Sequence, residues 1–415
     1  MTNISFSIQL DIPGVEIEEV RINRDGDYEI RVRSSQEGCE CHQCGQQITK
    51  PHGQDREIRL KHLPILGRDT YIIIRLPRYL CTECLERPTT TQQVPWFIRR
   101  SPHTIAYEMH VLSQLIGGTV EEASEREGIG YEAVMGIIRR HIQTEVDWDT
   151  MDRVEQLGLD EISLKKGHKD FVVIVSARIG KEIKILAVLK DRKKDTVKKF
   201  LSVIPKRLRK TIRSLCSDLY DGFINAAKEV FGKRIRIVAD RFHVAKLYRK
   251  GLDNVRKQEL KRLREELSEE EYKELKGVMW ALRKNEKDLS KEDRVLLKKL
   301  FRYSPTLETA YRLQNDLTHI FNMELSRSGG KRRIKNWMRR VEESGTSCYK
   351  KFLSTLETYL EEIVNYFIHR DSSGFVEGFN NKIKVIKRRC YGILNIDHLF
   401  QRIFLDISGR KLLAL

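Results

Sequence analysis

The fold is decided by seven consecutive segments: VEQLGLDEIS (154–163), DFVVIVSAR (170–178), EIKILAVL (182–189), DTVKKFLSVI (195–204), TIRSLCSD (211–218), YDGFINAAKEVF (220–231) and RIRIVAD (234–240). The first three, the fifth and the seventh are rich in β-branched residues and are bounded by polar or glycine-containing turns, which is typical of strands. The fourth and sixth have the apolar spacing of helices. The stretch therefore predicts the order β-β-β-α-β-α-β, a mixed α/β sheet flanked by helices.

Two aspartates stand at the ends of predicted strands. Asp160 ends the first strand and Asp218 ends the fourth. In a sheet of this order the first and fourth strands are neighbours, so we expect the two carboxylates to face each other at one edge. Asp240 follows the last strand and is an alternative second acid; we prefer Asp218 because its strand should lie beside the first. Aspartates at such positions are also common as turn or helix-capping residues.

A third acid, Glu377, lies in SSGFVEGFNNKIKVIKRRCYG (372–392), where a small-residue start precedes an amphipathic helix. That helix becomes strongly basic at Lys382, Lys384, Lys387, Arg388 and Arg389. An acid followed by cations suits a site that holds both metal ions and phosphates. Three carboxylates around two Mg²⁺ or Mn²⁺ ions permit an in-line displacement at phosphorus, so we expect two such ions per site.

Two C-x-x-C knuckles stand in the N-terminal region, Cys41-His42-Gln43-Cys44 and Cys81-Thr82-Glu83-Cys84. Their four thiolates match a closed tetrahedral zinc site, which is structural and not catalytic. The competing candidates for a ligand position are Cys39, His42, His52 and His62. We predict the four-cysteine set, with Cys39 as a spectator, in a zinc-ribbon-like β module.

The segment TVEEASEREGIGYEAVMGIIRRHI (119–142) spaces its apolar residues as two short helices around a break at 128–130. This pattern predicts a helix-turn-helix whose second helix reads double-stranded DNA in the major groove. The candidate contacts on that helix are Tyr131, Arg139 and Arg140. Helix pairs of this kind also occur as plain packing units.

Composition agrees with a polyanionic partner. The chain has 415 residues with 77 Lys and Arg against 59 Asp and Glu, giving a formal charge of +18. No signal peptide and no membrane-spanning window is recognisable, so we expect a cytoplasmic protein, nucleoid-associated when bound to DNA, with no membrane partner.

Residues 244–370 have an almost entirely helical pattern with charged surface runs, which predicts a large all-α insertion. Trp337 and Tyr391 lie among basic residues; stacking on an unpaired base is one interpretation, and a packed core aromatic is the preferred one. The predicted domains are a zinc-binding domain (1–102), a helix-turn-helix domain (103–150), a catalytic domain (151–243 and 371–415) and the helical insertion (244–370).

The motifs GLDEISLKKGH (158–168), ADRFHVAKL (239–247) and SSGFVEGFNNKIKVIKRRCYG (372–392), with the cysteine knuckles and the helix-turn-helix, resemble the ISL-three family of bacterial insertion-sequence transposases. The resemblance extends over nearly the whole chain. It implies a ribonuclease-H-like core, interrupted by a helical insertion, that cleaves at terminal inverted repeats and joins the ends to target DNA.

The resemblance also implies roles for single residues. Asp160, Asp218 and Glu377 become the catalytic carboxylates. Asp240 and His243 match an Asp-x-x-His signature of related transposases and are expected to support the site or to contact DNA. The plain alternative for that pair is a helix cap and a packed histidine.

Two rival functions remain at this point. One is a zinc-containing DNA-binding transcriptional regulator with an inactive nuclease-like domain. The other is a ribonuclease acting on RNA hybrids, which does not explain the helix-turn-helix. For the transposase we expect a homodimer on DNA, because two element ends must be cut and joined together.

Overall fold

The computed structural model describes residues 10, 12–163, 171–180, 182–370, 374–390 and 395–413. In the helix that begins at Gly374, the side chains at 374–377, 379 and 380 lie outside this description. The chain divides into two compact units, Met1–Gln143 with Gln401–Leu415, and Thr144–Phe400. No helix within the described ranges is long and apolar enough to cross a membrane. The four predicted domain boundaries stay predictions.

The first unit begins with short strands. In chain order they are β1 (Val15–Ile22), β2 (Tyr28–Ser34), β3 (Cys39–Glu40), β4 (Gln47–Ile48), β5 (Lys50–Gln54), β6 (Ile58–Ile65), β7 (Arg68–Ile74), β8 (Pro77–Leu80) and β9 (Thr89–Thr91). One sheet has the order β1-β2-β7-β6, in which β2 and β7 are parallel and the other pairs antiparallel. Ile30 and Val32 on β2 and Ile72 and Ile74 on β7 alternate along their strands, so one face of the sheet is buried.

Three helices follow: α1 (Ile105–Leu115), α2 (Val120–Glu127) and α3 (Tyr131–His141). Thr119 and Glu122 form a reciprocal capping box at the start of α2. Gly128 ends that helix with φ of 60°, a left-handed conformation that favours glycine. These local signals place the turn between α2 and α3, and the predicted helix-turn-helix is confirmed.

The second unit contains a sheet of β10 (Gln156–Ser163), β11 (Phe171–Ile179), β12 (Glu182–Leu189), β13 (Ser214–Ser217) and β14 (Arg236–Ala239). The strand order is β12-β11-β10-β13-β14, with the first three strands antiparallel and the last two added in parallel. The first and fourth strands of the predicted series are therefore neighbours, as predicted. The mixed sheet agrees with the ribonuclease-H-like core that the resemblance implies.

Helices cover this sheet because its strands are apolar. The connections are α4 (Lys194–Val203), α5 (Lys206–Arg209), α6 (Asp221–Phe231) and a 3-10 turn at Gly232–Arg234. Val197 and Leu201 of α4 and Phe223 and Ala227 of α6 are buried against the strands. In each pair the two residues are four apart, so they lie on the same, buried face of their helix.

The predicted all-α insertion is confirmed. Its helices are α7 (Arg241–Glu266), α8 (Glu269–Lys273), α9 (Val278–Arg283), α10 (Lys291–Tyr303), α11 (Pro305–Asn322), α12 (Arg327–Glu343), α13 (Lys350–Val364) and α14 (Tyr366–His369), with 3-10 turns at Glu286–Asp288 and Ser347–Tyr349. Trp337 is 1% exposed and its Nε1 donates to Leu313 O at 2.8 Å. Trp337 is therefore a core aromatic, as preferred, and Tyr391 lies outside the described residues.

Two further helices end the chain, α15 (Gly374–Arg389) and α16 (Ile396–Leu412). The last part of α16 belongs to the first unit. There Arg402 is 1% exposed and donates 2.9 Å hydrogen bonds to Leu115 O and Gly118 O. The C-terminal residues thus help to hold the end of α1, a contact without any local sequence signal.

Candidate functional site: a thiolate cluster, a row of acids and a basic helix

The zinc-ribbon module brings the two cysteine knuckles together. The first knuckle lies between β3 and β4, where Gly45 N donates to Cys41 O at 2.9 Å; the second follows β8, where Cys81 N donates to Pro88 O at 2.9 Å. The four sulfur atoms all lie within 4.8 Å of one another. Cys41 Sγ is 4.0 Å from Cys84 Sγ, and Cys44 Sγ is 3.7 Å from Cys81 Sγ.

These distances fit zinc. Tetrahedral ligands with Zn–S bonds of about 2.3 Å place their sulfur atoms about 3.8 Å apart. Backbone N–H groups of Cys44 and Gln43 lower the pKa of the Cys41 thiol to about 6, which favours the thiolate that zinc requires. The hydrogen bond with the Cys44 sulfur, followed by burial and by contacts with Cys81 and Cys41, raises the pKa of Cys84 to about 12, so full ionisation of the cluster needs a bound cation. The residues present thus fit a structural zinc ion.

The rejected ligand candidates have other surroundings. Cys39 Sγ contacts Thr90 O at 3.8 Å, and His42 Nδ1 lies 2.9 Å from Thr90 Oγ1. His62 is buried against Thr104 Oγ1 at 2.9 Å. His52 is exposed. Among the described residues, none of these side chains joins the thiolate cluster.

The second feature is a row of three aspartates on the mixed sheet. The last residues paired in register on the three parallel strands are Leu159, Ser217 and Ala239. Asp160, Asp218 and Asp240 each follow by one residue, so they lie side by side on strands about 4.8 Å apart. Asp218 and Asp240 have the same position relative to their strands, and this is why the sequence left both as candidates for the second acid.

The prediction that the first strand ends at Asp160 is wrong. Strand β10 continues to Ser163, because β11 remains paired with it beyond the end of β13. Asp160 lies opposite Ile174 of β11, and its Oδ1 accepts a 2.7 Å hydrogen bond from Glu161 N. The aspartate is therefore held by a paired strand on one side and open to the shorter parallel strands on the other.

Asp240 and His243 both contribute to the row. Asp240 caps α7, since its Oδ1 accepts from Phe242 N at 2.9 Å. His243 is one turn further along α7, and its Nε2 lies 3.1 Å from Asp218 Oδ1 and 3.8 Å from Asp240 Oδ2. Asp240 is therefore a helix cap, which was the plain alternative for this residue. His243 lies against the aspartates and is not packed in the core.

The acids repel one another. Burial, followed by the charges of Asp160 and Asp240, raises the pKa of Asp218 to about 8. The pKa of Asp160 is raised as well, chiefly by burial. Oxygen ligands crowded in this way, with His243 within 4.8 Å of Asp160 and Asp218, suit a divalent cation, which would relieve the repulsion.

Glu377 lies on α15, and its side chain is outside the described residues. The helix itself packs against β10, the strand that carries Asp160. Lys387 Nζ donates to Ser163 O at the end of that strand. The backbone thus places the helix that carries the third acid beside the strand that carries the first.

Two other acids close to the row have different partners. Glu161 pairs with Arg192 at 3.1 Å, and the Arg192 guanidinium also lies over the rings of Phe171 and Tyr220. Asp221 Oδ1 accepts a 2.8 Å hydrogen bond from Tyr359 Oη. Neither acid joins the group of potential ligands in the described part of the chain.

The helix-turn-helix shows an interaction that sequence reasoning missed. Glu108 of α1 is fully buried, accepts a 2.7 Å hydrogen bond from Ser101 Oγ, and is bonded by Arg140 and His141 of α3. Burial alone would raise its pKa, but hydrogen bonds from His103, His141, Arg140 and Ser101 hold the pKa of this carboxyl well below its usual range. The available signals in the sequence were a glutamate within a largely apolar helix and the cluster of basic residues at the end of α3.

Most of the predicted DNA contacts are accessible. Tyr131 is 46% exposed, and Arg139 is exposed and pairs with Glu132 at 3.1 Å. Arg140 is directed toward Glu108 instead. On α15 the residues Lys382, Lys384 and Arg388 are exposed, whereas Lys387 and Arg389 are half-buried.

Some basic side chains of the second unit are neutralised by acids within the chain. Lys194 and Lys198 pair with Glu229, and Arg340 pairs with Asp316 at 2.7 Å. These cations therefore belong to surface ion pairs in the structure.

Comparison with known proteins identifies the same three parts. A family model for the ISL3 DDE transposase, described as "Transposase", matches residues 157–403. A zinc-finger model of the transposases of IS204, IS1001, IS1096 and IS1165 matches residues 37–84. A model for the helix-turn-helix domain of transposase family ISL3 matches residues 92–142.

Two curated relatives are similar over most of their length. The transposase for insertion sequence element IS1001 of Bordetella parapertussis is 26% identical over 370 residues, which cover 89% of each chain. The transposase for insertion sequence element IS1557 of Mycobacterium tuberculosis is 22% identical over 391 residues, covering 89% of this chain and 86% of the relative.

A thiolate-built ribbon, a helix-turn-helix and an acid row on a mixed sheet together define a DNA-processing enzyme that binds DNA. Since the family model covers more than half of its residues, the chain belongs to the ISL3 family of DDE transposases. The resemblance inferred from the sequence motifs is confirmed.

Proposed function

We propose that this transposase cleaves DNA at the terminal inverted repeats of its element and joins the freed ends to target DNA, using Asp160, Asp218 and Glu377. The observation that supports this proposal most strongly is the shared register of Asp160 and Asp218 on neighbouring parallel strands. The packing of α15 against β10 adds the helix that carries Glu377.

Each chemical step exchanges one phosphodiester linkage for another bond to phosphorus. In cleavage, a water oxygen bonds to phosphorus, the bond from phosphorus to the 3′ oxygen breaks, and that oxygen takes up a proton. In joining, the freed 3′-hydroxyl gives up its proton and its oxygen bonds to a phosphorus of the target strand, while the bond from that phosphorus to the target's own 3′ oxygen breaks and that oxygen takes up a proton. Bound Mg²⁺ or Mn²⁺, two ions per site, would activate the attacking oxygen and stabilise the leaving one.

The protein residues have separate tasks in this scheme. Asp160 and Asp218 would supply carboxylate oxygens to hold the ions, and Glu377 would complete the set. His243 Nε2, 3.1 Å from Asp218 Oδ1, orients that carboxylate. Asp240 is a supporting residue, because its Oδ1 already accepts the capping hydrogen bond of α7.

Recognition of the element ends is assigned to the helix-turn-helix. Tyr131 and Arg139 stand exposed on α3 and are the proposed contacts in the major groove. Lys382, Lys384 and Arg388 on α15 are proposed to hold phosphates beside the acids. Arg140 acts on DNA binding through Glu108, which fixes the position of α3.

The test is transposition of a marked element in cells that contain wild-type protein or one of the variants Asp160→Asn, Asp218→Asn, Glu377→Gln and Asp240→Asn. The first three are expected to bind end DNA normally and to lose about a hundredfold or more in activity, since metal-assisted charge stabilisation is worth several kcal/mol. Asp240→Asn should retain partial activity, because asparagine caps a helix as well as aspartate does.

Asp152→Asn, an exposed aspartate of the same unit, is the matched control and should behave as wild type. Full activity of Asp160→Asn or Asp218→Asn would overturn the assignment. A wild-type protein that binds the ends and moves nothing would instead favour a DNA-binding regulator.

We also propose that the protein acts as a homodimer on DNA, because two ends must be processed together. Mass photometry of the wild-type protein with end duplexes should show two chains in each paired-end complex. A complex of one chain that still joins both ends would contradict this proposal.

A further inference from the structure

A polar cavity of about 840 Å³ lies in the second unit beside the acid row. Asp240, Phe242 and Arg249 of the α7 segment form one wall, and Asn315 and His319 of α11 form another. Its volume is within the usual range for small-molecule sites, roughly 300–1,000 Å³. Nothing in the proposed catalytic roles uses this space.

The cavity carries excess positive charge. Its lining includes four positively charged side chains, Arg241, Arg249, Lys287 and Arg294, and two carboxylates, Asp240 and Glu286. Arg241 donates to Tyr366 Oη at 2.9 Å, and Arg294 donates to Glu286 O at 2.9 Å, so both interact with uncharged groups. Within the described residues none of these four arginine and lysine side chains pairs with a carboxylate, which leaves their charge available to an anion.

An aromatic ring stands at the same place. Phe242 lines the cavity, is 48% exposed, and stands two residues after Asp240 in the chain. An exposed phenylalanine ring gives a flat apolar face on which a nucleobase can stack, and stacking of this kind tolerates any base sequence. Cations and an exposed ring in one cavity are the two elements that hold single-stranded nucleic acid.

Size separates unpaired from paired DNA. The volume of 840 Å³ corresponds to a cube about 9 Å on each edge, whereas the major groove of a duplex alone is about 12 Å wide. The cavity is therefore too small to enclose a duplex, and a base within a duplex has its faces covered by neighbouring bases, so it must leave the stack before it can stack on Phe242.

We propose that this cavity binds unpaired nucleotides of the DNA strand processed at the neighbouring acids, with a base on Phe242 and phosphates on Arg249 and Lys287. The proposal rests on the proposed function, since it takes the acid row as the place of cleavage. It adds that the element end is unpaired locally at the site before the strand is cut.

The test compares two end duplexes bound by the full-length protein in EDTA, which prevents cleavage. One is fully paired, and the other carries a short mismatch bubble that is moved stepwise across the cleavage position. A mismatched base is already unpaired, so a protein that extrudes bases binds it more tightly. We expect one bubble position to bind at least about tenfold more tightly than the paired duplex.

Variants then locate the effect. Phe242→Ala should weaken binding of the preferred bubble by about 5- to 150-fold, the range measured for base–aromatic stacking, and Phe242→Tyr should restore it. Trp280→Ala is the matched control, an exposed aromatic of the insertion that does not line the cavity. Arg249→Ala should also weaken binding, while Arg264→Ala, an exposed arginine on the same helix, should not.

Cleavage of paired ends in MgCl₂ is measured separately with the wild-type protein. Active cleavage without any bubble preference, or a preference unchanged in Phe242→Ala and Arg249→Ala, overturns the cavity assignment and leaves the proposed function intact. Absence of cleavage by a wild-type protein that binds its ends counts against the proposed function, whatever the bubble result.

Discussion

Binding of a divalent metal to the acid row is expected to expel a proton from Asp218. Burial and the charges of Asp160 and Asp240 raise the pKa of this carboxyl to about 8. A carboxylate ligand must be ionised, so metal and proton compete. Because the pKa is raised, the protonated form predominates below about pH 8 and is lost above it, and metal affinity therefore rises with pH up to that value.

The size of the effect follows from the pKa. With a value of about 8, about 90% of the chains carry this proton at pH 7 and about 10% at pH 9. Binding of Mn²⁺ should therefore release about 0.9 proton per chain from this group at pH 7 and about 0.1 at pH 9. The apparent Kd should fall about tenfold per pH unit between pH 5 and pH 7 and level off above about pH 8.

The assay is isothermal titration calorimetry of the full-length protein with MnCl₂ in buffers of different ionisation enthalpy, at pH 7 and pH 9. The dependence of the heat on the buffer gives the number of protons released. Asp218→Asn should abolish this release and weaken binding, whereas Asp152→Asn should match wild type. Equal release at both pH values, or none at pH 7, would refute the reasoning.

Three further predictions concern stability. Cys81→Ser should lose its zinc and have a ribbon that is sensitive to proteolysis, whereas Cys39→Ser should keep the zinc. Metal analysis of the two purified variants checks this, and equal loss in both would argue against the four-cysteine site. Glu108→Gln should destabilise the first unit by about 3–5 kcal/mol at pH 7, since Arg140 and His141 lose their buried partner. Because the pKa of Glu108 is lowered in the fold, the gap between this variant and wild type in thermal unfolding should shrink as the pH falls below the unfolded value of 4.5. Trp337→Phe should lower the free energy of unfolding by about 1–3 kcal/mol, because the hydrogen bond to Leu313 O is lost, and should leave DNA affinity unchanged. Trp280→Phe, at an exposed position, should change neither quantity. A DNA-binding defect in Trp337→Phe would instead support stacking of Trp337 on a base.

The sequence predicted those features that have a local or periodic signal. Paired knuckles predicted the thiolate cluster, and alternating apolar segments predicted the strand series. The adjacency of Asp160 and Asp218 then followed from the order of strands alone. In each case the physical cause acts over a few residues, or over the short list of ways in which such segments form a sheet.

Other features were missed because their partners are distant in the chain. No residue near Arg140 in the chain indicates that Arg140 will form an ion pair with Glu108. Likewise, no residue near Arg402 indicates that Arg402 will donate hydrogen bonds to the carbonyl groups of Leu115 and Gly118. The extension of β10 to Ser163 depends on how far β11 continues, which the composition of β10 does not determine. These contacts arise from packing of separate segments, which single-sequence patterns do not encode.

The choice between Asp218 and Asp240 shows how one local contact separates two equivalent positions. Both residues follow parallel strands in the same register, so their position relative to the strand does not distinguish them; strand order does, because β13 lies beside β10 and β14 lies beside β13. Asp240, however, is the N-cap of α7, and its Oδ1 accepts a hydrogen bond from Phe242 N, which fixes the orientation of the carboxylate and satisfies part of its charge. Asp218 lies between the other two acids, and its pKa is raised to about 8 by burial and by both neighbours. The carboxylate with the most unrelieved charge gains the most from a cation, and this supports the proposal that the middle acid of the row, Asp218, is a metal ligand.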